Sequence, residues 1–407
     1  MKFINLLIIM QIYAMSAQNT TKVLFIGNSI TYYNNMPQTF ESIANSKGDL
    51  TEITMHAPGG TGILNHVNDS YVYDLFRQGV WDYVVLQPGS NESPGYSETK
   101  EQTLGRLNKL KDSIYRYNPC SKILLYEIPY GVYGNSQSDI DSYNDTMGLI
   151  RSNCEYWSDE AEIFFAPAGE TVKNLWNNDP STLLWIGYSN VHPNEKGSYI
   201  IACSIYAAIF QKPSYGTNEI STLSQQDATF YQQAADAMVL NHLSDWRINT
   251  YNQHTDFDYN VNHNQVSFSN LSQNYDTLEW NFGDGTTSNT DSPVHTYNQT
   301  GTFDVTLTTY NNTCSETLTH AVDISSLQIS SSTDFSYKIF PNPFENRLYI
   351  EGSFDTDILI KDLLGRDFTQ LIKIDKTNKG LYLDTTDLPA GWYLINNNNF
   401  IRVIYKK

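Results

Sequence analysis

From Lys22 to about Trp246, short apolar runs alternate with longer amphipathic stretches. Lys22–Ile26, Thr51–Met55, Tyr83–Gln87, Lys122–Tyr126 and Ile163–Ala166 each predict a strand. Strands that are apolar on both faces need a sheet covered on both sides. The cover comes from helices predicted near Met36–Lys47, Thr99–Tyr117, Ser136–Tyr156, Glu195–Phe210 and Gln225–Asp245. Alternation of this kind predicts a three-layer α/β domain around a parallel sheet, over roughly residues 20–250. After Trp246 the period shortens to two, and Phe257 to Asp323 reads as a small β-sandwich. A Ser-rich hinge, Ile324 to Thr333 with its linker core at 326–334, leads into a last β-rich segment, 335–407. The expected fold class is thus α/β followed by two small all-β sandwiches.

Charge and cysteine usage narrow the partners. Of 407 residues 25 are basic and 44 acidic, a formal charge of −19. That sign opposes gripping nucleic acid or an anionic membrane surface. A mean hydropathy of −0.42 excludes a multispanning membrane protein. Residues 1–17 carry one positive charge, a short apolar run and small residues near Ala14 to Ala17, the pattern of a secretory signal peptide and not of a stable span. Export permits disulfides. Among Cys120, Cys154, Cys203 and Cys314, the expected pair is Cys120 with Cys154, while Cys203 sits in an apolar helical run and is expected to be a buried thiol. No CxxC or Cys/His spacing calls for zinc, and no metal or other cofactor is expected.

Chemistry concentrates in loops behind the predicted strands. The first strand stops at Gly27 and opens into Asn28-Ser29-Ile30-Thr31. Ser29 then stands at the carboxyl end of a parallel strand, where open α/β sheets bind ligands, although a Ser or Asn there is also an ordinary helix cap. Behind the second strand lies Pro58-Gly59-Gly60-Thr61-Gly62, and behind the third Gln87-Pro88-Gly89-Ser90-Asn91-Glu92. Ser189-Asn190-Val191-His192-Pro193-Asn194 comes late in the domain. A hydroxyl nucleophile needs a base within hydrogen-bond reach and donors aimed at the oxyanion, and these four loops contain both.

In these four blocks, Gly27-Asn28-Ser29, Thr61-Gly62, Gly89-Ser90-Asn91 and Ser189-Asn190-Val191-His192-Pro193, the chain resembles the SGNH (GDSL-like) hydrolases. The resemblance implies a flavodoxin-like three-layer fold with Ser29 as nucleophile and His192 as base. It also implies an oxyanion hole from the Ser29 and Gly62 amides and the Asn91 side chain, with Gln87 as the alternative donor. Two positions depart from the pattern. The family's usual acid, three residues before the histidine, is Ser189 here, the candidate orienter by position, with Glu160 and Asp179 as more distant acids. Pro88 and Glu92 also blur the alignment of Asn91.

The run Trp280-Asn-Phe-Gly-Asp284-Gly-Thr with His295-Thr-Tyr297 and Gly301 to Leu307 resembles a PKD-type repeat over 252–325. Asp284 and Asp291 are expected to form turns, with calcium ligation the alternative, and His295 is expected to pack in the sandwich. Ile339 to Phe344, Leu359 to Arg366, Asp387 to Ile395 and the close at Lys407 resemble a type IX secretion sorting domain, which implies a bacterial cargo handled by that machinery and secreted or held at the surface. The combined expectation is a secreted serine esterase removing acetyl groups from polysaccharide. A catalytically impaired glycan-binding module and a short-chain lipase or arylesterase are the alternatives.

Overall fold

The computed structural model describes residues 20–325, 338–352, 358–362, 365–377, 379–397 and 400–407. The expected signal segment and linker core lie outside them. In the first 250 residues the chain forms β1 (Thr21–Ile26), α1 (Ser29–Tyr32), α2 (Met36–Ser46), β2 (Thr51–His56), α3 (Ile63–His66) and α4 (Ser70–Arg77). There follow β3 (Tyr83–Leu86), α5 (Lys100–Tyr117), β4 (Lys122–Tyr126), α6 (Gln137–Ala161), β5 (Phe164–Ala166), α7 (Ala168–Asn178), α8 (Glu195–Phe210) and α9 (Gln225–Leu240). All five strands run parallel in the order β2-β1-β3-β4-β5. The order reverses between β1 and β3, and loops leaving that point diverge to open a crevice at the carboxyl ends.

Burial accounts for the apolar strands. Val23 to Ile26, Val84 to Leu86 and Ile123 to Tyr126 are all within 1% of complete burial. α8 is buried from Gly197 to Ile209 because α2, α7 and α9 pack around it, so it is apolar all round. The predicted helices are present with shifted ends, while α4 and α7 go beyond the prediction; α7 is short and begins directly after Pro167. Among the described residues, no helix is long and apolar enough to cross a membrane.

Beyond Trp246, β6 (Phe257–Asn262), β7 (Gln265–Asn270), β8 (Thr277–Asn281), β9 (Thr287–Ser288), β10 (Val294–Thr296), β11 (Gly301–Asn311) and β12 (Cys314–Ile324) form two antiparallel sheets, β10-β7-β6 and β12-β11-β8-β9. Trp280, Tyr297, Val305 and Leu307 fill the space between them. His295 stacks on Phe282 at 4.1 Å, packed as expected, and its Nε2 lies 2.8 Å from Asp284 Oδ2. Asp284 closes its turn on the Thr286 N–H, and Asp291 accepts from Tyr275 and Asn270. The last segment holds β13 (Lys338–Phe340), β14 (Arg347–Glu351), β15 (Leu359–Asp362), β16 (Lys373–Thr377), β17 (Gly380–Asp384), β18 (Gly391–Asn397) and β19 (Phe400–Lys406). They too make two sheets, around Leu348, Ile350, Leu383, Ile395 and Ile404.

The disulfide differs from expectation. Cys120 pairs with Cys314, at the start of β12, and not with Cys154, which is a buried free thiol in α6; Cys203 is likewise buried and free. Burial pushes both thiols well above their usual range. The bridge joins the α/β domain to the first sandwich beneath the amino ends of the strands. Lys122 Nζ meets Glu316 Oε1 there at 2.8 Å, and Glu316 Oε2 accepts the Thr255 N–H at 3.1 Å. A cross-link spanning 194 residues constrains the unfolded chain by on the order of 5 kcal/mol in chain-entropy terms.

Two expectations follow from this packing. Peptide mapping of the oxidised protein should recover Cys120 linked to Cys314, with Cys154 and Cys203 alkylated only after denaturation; a Cys120–Cys154 peptide would contradict the fold. Glu127, fully buried behind β4 with Oε2 accepting the Glu170 N–H at 2.8 Å, has its pKa pushed up to about 8 by burial and by the Glu170 carboxylate. The folded chain therefore keeps a proton that the unfolded chain releases near the ordinary glutamate value. The linked stability is complete below that value and is lost as pH rises through about 8. Urea midpoints of wild type should fall between about pH 5 and about pH 8, and Glu127→Gln should flatten that fall.

Candidate active site

The loop that carries Ser29 is fixed by hydrogen bonds that do not involve its hydroxyl. Asn28 caps α1 by accepting the Ile30 N–H at 2.9 Å, and its amide donates to Thr61 O at 2.7 Å. Gln87, at the carboxyl end of β3, accepts the Asn28 N–H at 3.0 Å and the Thr31 hydroxyl at 2.7 Å, and donates to Pro88 O. Gln87 is 1% exposed and spends both ends of its amide on this brace, so it is not the alternative oxyanion donor. Together these bonds leave Ser29 half-buried at the mouth of the crevice.

His192 arrives on a hairpin whose arms are tied by Ile186 N–H to His192 O at 3.0 Å and Asn194 N–H to Leu184 O at 3.0 Å. Its Nε2 lies 2.8 Å from Ser29 Oγ. The two residues that the motifs single out, 163 positions apart, are therefore in hydrogen-bond contact. From the nucleophile side, Asn34 donates to Pro193 O at 3.0 Å and to Ser198 Oγ at 2.9 Å, joining the two loops.

The orienter is not Ser189. That residue sits at the hairpin tip with φ of 55°, and its N–H donates to Val132 O at 2.7 Å. This left-handed turn brings Asn190 round instead. Its Oδ1 lies 2.7 Å from His192 Nδ1 and accepts the His192 backbone N–H at 2.9 Å. Because a backbone N–H can only donate, the second bond holds the amide oxygen, and not the NH₂, against the ring. Nδ1 then carries the proton, and the Nε2 lone pair faces Ser29. Glu160 is exposed on α6, and Asp179 is occupied by Ser181 and Thr182. Gly131 makes room for the arrangement: a Cβ there would collide with the Asn190 carbonyl.

Tyr33 stacks on His192 with centroids 4.2 Å apart and planes 22° from parallel. Burial lowers the His192 pKa below the ordinary histidine value, so the ring rests neutral at pH 7. The Tyr33 face offers a π surface that would favour a protonated ring.

The expected oxyanion donors stand in different states. The Ser29 N–H opens α1 and has no protein acceptor among the described residues. Asn91 is exposed on the loop after β3, with its Oδ1 3.5 Å from the Tyr130 hydroxyl. The Gly62 N–H donates to Asn65 Oδ1 at 3.0 Å, so Asn65 must turn aside before Gly62 can serve a substrate. Glu92, which in the sequence only blurs an alignment, is the buried clamp of this region: its carboxylate accepts from Ile63 and Gly89 at 2.8 and 2.9 Å and from Leu64 at 3.0 Å. A Cβ on Gly62 would lie 2.6 Å from Gly89 N, so only glycine fits between the two loops.

Where the sequence suggests no metal, one cluster among the described residues has ligand chemistry. His56, His66 and Asp69 bring ligand atoms within 4.8 Å of one another. Their hydrogen bonds already hold the rim together. His56 Nε2 meets Asp69 Oδ2 at 2.8 Å, and His66 Nε2 meets Gly27 O at 2.9 Å, while burial pushes the His66 pKa down to about 4.

Comparisons with known proteins bear on each part of the chain. Among solved structures, residues of the α/β domain are similar to a DUF4886 family protein from Bacteroides uniformis, at 17% identity over 55% of this chain and 95% of that one with a TM-score of 0.44. They are also similar to an SGNH hydrolase from Slackia heliotrinireducens, at 18% identity, 46% and 98% coverage and a TM-score of 0.37. A third is an acetylxylan esterase from Geobacillus stearothermophilus, at 15% identity, 46% and 94% coverage and a TM-score of 0.36. No curated protein matches the chain in sequence. Residues 252–325 match the PKD domain family, and residues 338–407 match the secretion system C-terminal sorting domain. The chain therefore carries a PKD module and a type IX sorting tail behind its parallel α/β domain, as a secreted or cell-surface bacterial protein.

Proposed function

We infer that the α/β domain is a serine ester hydrolase of SGNH type, acting on acetyl esters of polysaccharide. The observation that carries the reading is the contact of Ser29 Oγ with His192 Nε2 at 2.8 Å, on a ring whose tautomer Asn190 fixes. In the proposed reaction Ser29 Oγ attacks the ester carbonyl as its proton passes to His192 Nε2. The oxyanion is met by the Ser29 N–H, with Asn91 and a released Gly62 as further donors. His192 returns the proton to the departing alcohol, then activates the water that frees acetate from Ser29.

A neutral orienter changes the energetics more than the geometry. In the well-studied Ser-His-Asp triad the Asp-to-Asn change costs about 10⁴ in rate, by stabilising the wrong tautomer. Here the backbone N–H of His192 forbids that error, and the remaining deficit is the missing negative charge beside the imidazolium. Export and the sorting tail support a substrate outside the cell, and the accessory PKD module suits an insoluble one.

Acetate release from p-nitrophenyl acetate and from acetylated xylan tests the reading directly. Ser29→Ala and His192→Ala should both fall to background with circular dichroism unchanged, and a serine-directed phosphonate should label wild type once per chain; activity surviving Ser29→Ala would refute it. The pH profile tests the orienter. With the His192 pKa lowered by burial, the acid limb of kcat/KM should lie below the ordinary histidine value, since the base is lost only as pH drops through the lowered pKa. Asn190→Asp should raise that pKa and move the limb upward by roughly one unit, whereas Asn190→Ala should cost roughly 10²-fold in kcat.

A further inference from the structure

The crevice around Ser29 is walled by the loops 27–36, 56–70, 87–99, 127–136 and 179–194, and none of the chain's 25 lysines and arginines lies in any of them. They contain the carboxylates of Asp69 and Asp179, while Glu92 and Glu127 are buried and Glu98 pairs with Arg106. These loops offer no lysine or arginine of their own to a substrate bearing carboxylates, sulfates or phosphates, and a chain of net charge −19 repels one.

What the same rim exposes is tyrosine. Tyr32, Tyr71, Tyr96, Tyr133 and Tyr188 are 39, 53, 57, 59 and 45% exposed. They follow the strand order across the sheet: Tyr71 beyond β2, Tyr32 after β1, Tyr96 after β3 and Tyr133 after β4, with Tyr188 on the His192 hairpin. Four adjacent strands set their loops across about 14 Å, the reach of a short oligosaccharide. Ring contacts join Tyr32 to the catalytic pair, since it stacks on Tyr33, which stacks on His192; Tyr96 packs on Tyr130 beside Asn91, and Tyr71 packs on His56. A phenol ring offers a flat apolar face and a hydroxyl at its edge, which suits a pyranose with its C–H face and equatorial hydroxyls. A fatty acyl chain would instead call for a channel walled by aliphatic side chains.

Resting on the esterase reading, we propose that this tyrosine rim is a binding site for an uncharged glycan chain, laid across the carboxyl ends of β2, β1, β3 and β4 with its acetyl group over Ser29. It sets the substrate class as neutral acetylated glycans and excludes uronate-rich or sulfated ones. Tyr71 and Tyr133 hold the two ends of the chain, away from the reacting atoms.

The test compares acetylated xylo-oligosaccharide, acetylated polygalacturonate and p-nitrophenyl acetate with wild type, Tyr71→Ala and Tyr133→Ala. Each substitution should raise KM for the xylo-oligosaccharide roughly five- to tenfold while kcat, and hydrolysis of p-nitrophenyl acetate, stay within about twofold. Polygalacturonate should be the poorer substrate, improving as added salt screens the repulsion. Equal or better turnover of polygalacturonate, an unchanged KM in both variants, or a preference for long-chain p-nitrophenyl esters would each overturn the proposal. If wild type hydrolyses nothing, the esterase reading fails separately. Titration of Ser29→Ala with unacetylated xylo-oligosaccharide then decides the rim alone: binding weakened by Tyr133→Ala sustains it, and no binding overturns it.

Discussion

The site depends on buried polar side chains that spend their hydrogen bonds on neighbouring loops. Gln87 spans the point where the strand order reverses and holds the Asn28 N–H and the Thr31 hydroxyl. Glu92 gathers three backbone amides, two from the loop after β2 and one from its own, and Asn34 joins the loop of Ser29 to the histidine hairpin. Each such group would be costly if left unpaired out of water, so the loops have one arrangement that satisfies all of them. Ser29 and His192 are placed by that constraint; their own 2.8 Å contact is its result.

Replacing a charged orienter by Asn190 fits the same economy of bonds. An amide has two faces that differ only in donor and acceptor, and a ring nitrogen alone would not select between them. The selection comes from the main chain of the residue being oriented. His192 thereby fixes its own partner, and the Tyr33 face offsets part of the charge lost with the carboxylate, while burial works the other way by disfavouring the protonated ring.

The sequence made the layered α/β domain legible because its strands are apolar on both faces and its loop motifs follow each strand in turn. Ser29 and His192 were legible for the same reason, each lying at a fixed place in the alternation. The bond from Asn190 to the ring was not, because the left-handed turn at Ser189 moves the contact along by one residue and a turn's handedness leaves little trace in composition. An Asn two residues before a His, able to bond both its amide and its ring, is the local signal that marks it. The disulfide was illegible for another reason: pairing Cys120 with Cys314 requires the sandwich to dock under the sheet, and that docking rests on contacts such as Lys122 with Glu316, which neither segment reveals alone. Glu92 looked like noise in a motif, since only the folded loops bring its three amides together.

The Cys120–Cys314 bridge also has a mechanical meaning. It lies at the amino ends of the strands, opposite the mouth that holds Ser29, and the sorting tail follows the sandwich it secures. A pull on the tail of a surface-held molecule enters the α/β domain through that covalent bond at the foot of β4, sharing the load with the short connection after Trp246. The sheet is then loaded from its closed end, and tension at the tether leaves the open end, with the loops of Ser29 and His192, outside the line of force.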